Sequence, residues 1–378
     1  MKYRAFGNLD WDVSVLGFGA MRLPIIGKDE TKIDEPEAIG MIRHAIDNGV
    51  NYVDTAYPYH GGNSERVVGL ALKDGYREKV KLADKLPPWF VTKTEDFDSI
   101  FNEQLERLQT DHIDFYLLHG LNSEFWAKFS DLGAIQWAEA EQKKGRIGHL
   151  GFSFHDEFEV FKEIVDGYDK WDFCQIQYNY MDVDFQAGTK GLAYAAEKGL
   201  PVVVMEPIRG GQLAKEPPPS VAKLLEAAAV KRAPADWALQ WIWQHPEVTL
   251  VLSGMTALSH VEDNLASADH AGSLTADDMQ LIDRIREAYR ELNPIPCTNC
   301  KYCMPCPNGV DIPRVLELYN DAMVYEAAKK ERFLYRMLPK EAQADNCVQC
   351  GECEEVCPQH IAVPEWLEKA HEWLGPKG

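Results

Sequence analysis

Along the first 290 residues, short apolar runs alternate with longer segments whose apolar positions recur every three or four residues. The short runs fall at residues 13–21, 51–56, 80–85, 113–119, 149–154, 173–178, 201–206 and 249–254. Runs of this length, bounded by Gly, Pro or polar residues, predict buried strands. The segments at 37–48, 64–72, 97–108, 125–144, 157–165 and 189–198 each carry one apolar stripe, as a helix covering a sheet does. Eight strand–helix repeats predict an α/β fold, a parallel sheet closed into a (β/α)8 barrel. Residues 3–15 add a small hairpin expected at the barrel bottom. A doubly wound dinucleotide fold competes, because Leu16-Gly17-Phe18-Gly19-Ala20-Met21-Arg22 follows a strand. That segment offers only two of the three fingerprint glycines, and its loop runs on through Pro24 and Gly27 to Pro36 with no helix starting. The barrel is the arrangement the pattern supports.

The repeat stops near residue 288, and Asn293-Pro294-Ile295-Pro296 reads as a linker. Two domains are expected, at 1–288 and 289–378. In the second, residues 312–330 and 331–338 read as helical. Ile312-Pro313 and Val363-Pro364 stand at matching offsets after Cys306-Pro307 and Cys357-Pro358, which suggests an internal duplication.

Composition narrows the partners. A formal net charge of -21 argues against nucleic acid, whose binding needs clustered Lys and Arg. No apolar run approaches a membrane span, and the start Met1-Lys2-Tyr3-Arg4 lacks the apolar core of a signal peptide. A soluble cytoplasmic protein is expected. In that compartment clustered cysteines bind metal rather than form disulfides. Cys174 stands apart, and the other eight cysteines lie between Cys297 and Cys357.

Their spacing is the most specific signal in the chain. Cys297-x2-Cys300-x2-Cys303-x2-Cys306-Pro307 is followed by Cys347-x2-Cys350-x2-Cys353-x3-Cys357-Pro358. The second run has the bacterial ferredoxin spacing for [4Fe–4S] ligation, in which the fourth cysteine serves the other cluster. Two [4Fe–4S] clusters are expected, one on Cys297, Cys300, Cys303 and Cys357, the other on Cys347, Cys350, Cys353 and Cys306. The first run is one residue short of the pattern before its last cysteine. Zinc held by Cys-x2-Cys pairs is the alternative, disfavoured by the third cysteine and the trailing Cys-Pro.

Three of the strand-like runs end in ionisable groups. Asp54 closes the run at 51–56 with Tyr59 five residues on, Lys85 closes that at 80–85, and His119 that at 113–119. In a parallel barrel these strand ends converge on one mouth. Taken singly, each has an ordinary role: a cap or ion-pair partner, a core aromatic, a surface cation, a hydrogen-bonded histidine. Together they form a proton-transfer set. Tyr59 would donate a proton to a carbonyl oxygen. Lys85 would favour the phenolate, by about 4 kcal/mol at ~4 Å and an effective dielectric near 20. Asp54 would hold Lys85, and His119 would orient the oxygen.

These four residues, in this order, resemble the tetrad of the aldo-keto reductases. The likeness extends through Asn63-Ser64-Glu65, Leu150-Gly151-Phe152-Ser153 and Gln175-Ile176-Gln177-Tyr178-Asn179. Tyr57 misses the five-residue spacing that the family keeps between its aspartate and tyrosine. The resemblance implies NADP- or NAD-dependent interconversion of an aldehyde or ketone with its alcohol. It implies that Ser153 and Gln175 hold the nicotinamide carboxamide, that Met205, Glu206, Pro207 and Ile208 run along the cofactor, and that Gly19 and Met21 line the same groove. After the last strand, Gly254, Met255, His260, Asp263 and Asn264 would meet the nucleotide, with backbone donors from a helix starting near Ser259. His260 stands where relatives commonly have arginine, Phe154 where many have asparagine, and Met205 where many stack an aromatic ring. The tail resembles the α-helical ferredoxins, so the whole looks like an iron–sulfur branch of the aldo-keto reductases.

One tension follows. Nicotinamide passes two electrons as a hydride, whereas a [4Fe–4S] cluster takes one at a time. A converter such as a flavin or a radical substrate would be required, and no flavin motif is evident. A ferredoxin or flavoprotein is the redox partner this implies. Two other readings stand beside the reductase: an electron-transfer protein whose barrel docks a redox partner, and a nucleotide-sensing barrel with little chemistry.

Overall fold

Eight strands pair in parallel and close on themselves in the computed structural model, which describes all residues except 28, 293–294, 325–327 and 376–378. An antiparallel hairpin of β1 (Tyr3–Ala5) and β2 (Asp12–Ser14) precedes them. The barrel strands are β3 (Leu16–Gly19), β4 (Tyr52–Asp54), β5 (Lys81–Leu86), β6 (Ile113–Leu121), β7 (Ile147–Phe154), β8 (Phe173–Gln177), β9 (Val202–Met205) and β10 (Val248–Gly254), with β10 returning to pair with β3. Closure rules out the doubly wound alternative. The first apolar run does not form one strand: residues 12–14 join the hairpin, 16–19 enter the barrel, and Ala20–Arg22 form a 3-10 turn.

The hairpin fills the bottom of the barrel. Phe6 is fully buried, its ring 4.8 Å from Phe115, 5.9 Å from Phe173 and 6.5 Å from Tyr52. Inward-facing Val203 and Leu250 complete this layer, as alternate side chains of a barrel must fill its interior. The Arg4 guanidinium donates to the backbone carbonyls of Trp243, His245 and Val248. The helix expected over 125–144 is two, Ser123–Leu132 and Ala134–Lys143. Gly133 separates them at φ 77°, a left-handed turn that ends the first helix and costs glycine least.

Packing divides the chain into two compact units, residues 1–207 with 238–274, and residues 208–237 with 275–378. The second unit thus takes in the helices Pro219–Glu226 and Ala276–Glu291, which precede residue 288. Its tail core gathers Val310, Val315, Leu316, Leu318, Tyr335, Leu367 and Leu374. Helices Ile312–Val324 and Val363–Leu374 each open on an apolar-Pro pair, in keeping with a duplication. The helix expected over 312–330 is described as far as Val324, and residues 325–327 and the linker positions 293–294 lie outside the described residues. Among the described residues no helix is long and apolar enough to cross a membrane.

Truncating Phe6 to Ala should cost about 3–5 kcal/mol of stability, the range for a fully buried aromatic. Denaturant unfolding checks this. A loss under about 1 kcal/mol would mean the hairpin is not part of the barrel core.

Candidate functional site

Strands β4, β5 and β6 are neighbours, so their C-terminal ends lie side by side. Asp54 ends β4 opposite Ala83, and Lys85 pairs with Leu117 of β6, two residues before His119. The 3-10 turn Tyr59–Gly62 follows β4 and places Tyr59 over the same mouth. Lys85 is wholly buried, and its Nζ donates to Asp54 Oδ1 at 2.6 Å, Asp54 Oδ2 at 2.8 Å and the Thr55 carbonyl at 2.7 Å. An ammonium has three protons, and all three are used. Lys85 Nζ sits 5.1 Å from the centre of the Tyr59 ring. The His119 ring lies edge-on to Tyr59 at 6.0 Å and to Trp89 at 5.0 Å. The structure therefore brings the four expected residues together. Tyr57 points elsewhere: its hydroxyl donates to Glu103 at 2.7 Å and Arg107 covers its ring.

The electrostatics correct one expectation. The Tyr59 phenol is pushed well above its ordinary value, by burial first and then by the charges of Asp54, Glu206 and Asp84, with Arg22 opposing. Burial and these carboxylates outweigh the attraction of Lys85, whose ammonium is shared with Asp54 and the Thr55 carbonyl. Burial likewise raises the Asp54 carboxyl, with Lys85 opposing. His119 is driven well below 6.5 by burial, reinforced by the charges of Lys85 and His155. It is a neutral imidazole near pH 7, and its Nδ1 is buried without a hydrogen-bond partner among the described residues.

The expected nicotinamide contacts also adjoin one another. Ser153 of β7 stands opposite Gln175 of β8. Gln175 Nε2 reaches Met205 Sδ at 3.4 Å, while its Oε1 is buried with no partner among the described residues. Ser153 Oγ accepts the Gly120 N–H at 2.7 Å. An unsatisfied buried acceptor costs stability unless a donor arrives, and a carboxamide N–H is such a donor. These residues fit a nicotinamide. Gly19 pairs with Gly254, and a Cβ on Gly19 would lie 3.3 Å from the Ser253 carbonyl. Met21 is half-buried in the following turn, and Met255 is buried. Helix Leu258–Asp269 starts one residue earlier than expected, with no side chain capping its first amides. Such amides suit phosphate. His260 and Asp263 are exposed, whereas Asn264 is buried and donates to Ser253 Oγ at 2.8 Å. Glu206 lies 3.9 Å from Arg22. Met205, Glu206 and Pro207 belong to the first unit, and Ile208 opens the second.

In the second unit, Cys303, Cys306, Cys347, Cys350 and Cys353 line a cavity of about 310 Å³ together with Pro305, Ile312 and Leu367. Burial pushes the Cys303 thiol up to about 12, with Cys300, Cys297 and Cys357 as the neighbouring groups that add to it. Cys357 thus adjoins the first run although 54 positions separate it from Cys303 in sequence. Among the described residues no three Cys, His, Asp or Glu side chains are drawn together tightly enough for a single metal ion. Thiols set around a cavity suit a larger inorganic core than tetrahedral zinc. The loop carrying Cys297 is braced within this unit: Gln212 Nε2 donates to the Cys297 carbonyl, and Gly210, at φ 63°, packs so closely on Thr298 that no side chain would fit.

Sequence reasoning missed three neighbours of the site. Trp89 stacks on His119 from a loop whose aromatic, Pro-rich composition was its only signal. Arg22 bears on Tyr59 electrostatically from the turn after β3. Asp84, buried beside Lys85, was visible only as a charge inside an apolar run.

Comparison with known proteins gives the same picture. Residues 15–287 match the model of the Aldo/keto reductase family, and residues 296–362 match that of a 4Fe-4S dicluster domain. L-galactose dehydrogenase of Arabidopsis thaliana is 28% identical over 317 residues, covering 77% of this chain and 96% of that protein. Methylglyoxal reductase YeaE of Escherichia coli (strain K12) is 26% identical over 277 residues, covering 70% and 92%. The holo form of an aldo-keto reductase from Bacillus halodurans superposes with a TM-score of 0.62 at 28% identity, over 75% of this chain and 96% of that one.

A raised phenol favours its uncharged form, so Tyr59 should ionise later than an ordinary tyrosine. Ultraviolet difference titration of the wild type against Tyr59→Phe should show no missing tyrosinate below about pH 10. A tyrosinate signal lost from the variant below pH 9 would contradict the burial argument.

Proposed function

This chain belongs to the aldo/keto reductase family, and we propose that its barrel interconverts a small oxygenated carbonyl compound and the matching alcohol with NADP or NAD. The carrying observation is the buried Lys85, its protons fixed by Asp54 and Thr55, beside Tyr59 and His119. When bound, the nicotinamide supplies or accepts the hydride. Tyr59, held protonated by burial, gives its proton to the carbonyl oxygen and takes it back in the reverse direction. The fixed charge of Lys85 stabilises the phenolate left behind. Asp54 holds that charge in place, and neutral His119 hydrogen-bonds and orients the carbonyl oxygen. Ser153 and Gln175 grip the carboxamide, and Met205 packs on the ring as a polarizable thioether.

Gly19, Met21, Glu206, Pro207, Ile208, Gly254, Met255, His260, Asp263 and Asn264 complete the nucleotide contacts in this proposal. From Ser253 to Asn264 the chain carries no Lys or Arg, which favours the nucleotide without a 2′-phosphate. The substrate class draws on the two named relatives, one a sugar dehydrogenase and one a reductase of methylglyoxal.

Residues 1–288 form the catalytic domain of this reading and 289–378 the cluster-bearing one. The eight tail cysteines hold two [4Fe–4S] clusters in the sets Cys297, Cys300, Cys303, Cys357 and Cys347, Cys350, Cys353, Cys306. Their thiolate chemistry suits the reducing cytoplasm. Exposure of Cys350 at the cavity rim favours electron exchange with an external one-electron carrier, a ferredoxin or flavoprotein. That same exposure supports the second reading, in which electron transfer is the main task and the barrel docks a partner.

Anaerobically purified protein should contain about eight irons if both clusters form. In it, Tyr59→Phe should lower kcat for carbonyl reduction about 10²–10⁴-fold and leave nucleotide Kd within about threefold. Unchanged turnover would remove Tyr59 from the chemistry. Bleaching of the iron–sulfur absorbance by nucleotide alone, with no carbonyl turnover, would move the protein to the second reading.

A further inference from the structure

Behind Lys85, on the outer face of β5, lies a second buried acidic group that the reaction above does not use. Asp84 and Glu65 are both fully buried, and their carboxyls meet at one donor, Gln104 Nε2, which lies 2.8 Å from Asp84 Oδ2 and 3.3 Å from Glu65 Oε1. Two ionised carboxylates held this close in a buried site repel, and one proton between them removes that repulsion. The surroundings agree with a single negative charge on the pair. Arg107 donates to Glu65 Oε2 at 2.7 Å, and it is the only cation hydrogen-bonded to either side chain among the described residues. Lys85, the other nearby cation, is already balanced by Asp54.

Asp84 and Gln104 together hold the main chain of Lys85 at both of its polar groups. Asp84 Oδ1 accepts the Lys85 N–H at 2.8 Å. Gln104 Nε2 donates to the Lys85 carbonyl at 3.0 Å, to Asp84 Oδ2 at 2.8 Å and, more weakly, to Glu65 Oε1 at 3.3 Å. Tyr116 fixes Gln104 in turn, its hydroxyl donating to Gln104 Oε1 at 2.6 Å. Strand alternation explains the division of labour: Lys85 points into the barrel, and Asp84 points out to the helices Asn63–Ala71 and Glu95–Leu108 that carry Glu65 and Gln104.

We infer that Asp84 and Glu65 share one buried proton and, with Gln104, hold the Lys85 main chain in register, making Asp84 a positioning residue for proton transfer at Tyr59. The charged and titratable groups facing the pair are Lys85 and Asp54 within the barrel, Tyr59 above it, Tyr116 on β6, and Glu103 and Arg107 on the covering helix. Losing the shared proton would leave an unbalanced anion one residue from Lys85. Burial and the mutual repulsion of the two carboxyls hold that proton on well above the ordinary carboxyl range. The positioning role rests on the reading of Lys85 and Tyr59 given above, whereas the shared proton does not.

The two parts are tested separately on the full-length, cluster-loaded protein. Infrared spectra at pH 7.5 should show a protonated-carboxyl band that shifts in D2O and is lost in both Asp84→Asn and Glu65→Gln. Absence of that band in the wild type, or its persistence in both variants, overturns the shared proton even if the reductase reading has failed. In kinetics, Asp84→Ala should lower kcat about tenfold to a hundredfold with both KM values within about threefold. Asp84→Asn, which keeps an acceptor for the Lys85 N–H and a donor toward Glu65, should recover most of that loss. Wild-type kcat in Asp84→Ala, or equal losses in Ala and Asn variants of unchanged melting temperature, overturns the positioning role.

Discussion

A lysine ammonium with no solvent exposure is tolerated only where anionic and carbonyl oxygens replace its water. Lys85 meets that condition through both oxygens of Asp54 and the carbonyl of Thr55. Removing one partner of such a pair costs about 3–5 kcal/mol, because the other charge is left buried and alone. The requirement constrains much around it. It ties β4 to β5 at their C-terminal ends and fixes where the chain leaves β4. Thr55 is anchored further through Ser64, 2.9 Å away, whose hydroxyl in turn reaches the Ala20 carbonyl. The turn bearing Tyr59 therefore hangs between two fixed points, and its phenol is held over the ammonium rather than free to find solvent.

Much of this was legible in the sequence, for identifiable reasons. Apolar runs of six to nine residues mark barrel strands because both faces of a parallel strand are buried, so the eight repeats announced themselves. The tetrad could be read because ionisable residues at strand ends have no place in a packed core and must gather at the mouth. Other features had no such signature. Gly133 breaks a helix whose apolar stripe continues on both sides of it, so periodicity alone joined the two halves. The helix Ala276–Glu291 packs with the second unit although it precedes the change in composition, since composition marks chemistry rather than packing. Asp84 was only a charge inside an apolar run until its face of the strand was known. The phenol of Tyr59 was expected to be lowered by a cation, but the proton inventory of Lys85 is settled only in three dimensions.

The tail follows a different logic. Its eight thiols are ordered by spacing in the chain, and the two runs meet: Cys357 of the second run, like Cys297 and Cys300 of the first, bears on Cys303. Cys306 of the first run shares a cavity with Cys347, Cys350 and Cys353. In the proposed ligand sets the last cysteine of each run crosses to the other run, so each site would depend on both. Two-electron chemistry in a barrel and one-electron carriers in a tail are thus encoded by independent signals, strand ends in one and cysteine spacing in the other.

The central claim is that a buried positive charge, fixed by Asp54 beside the Tyr59 ring, makes proton transfer possible. The double variant Lys85→Met with Asp54→Asn removes both members of the ion pair and leaves no buried charge unpaired, so the barrel should still fold. Its turnover of carbonyl substrate at saturating nucleotide is the decisive quantity. The account expects kcat at least about 10²-fold below wild type with nucleotide Kd within about threefold. A kcat within about threefold of wild type would show that the charge does not support the chemistry.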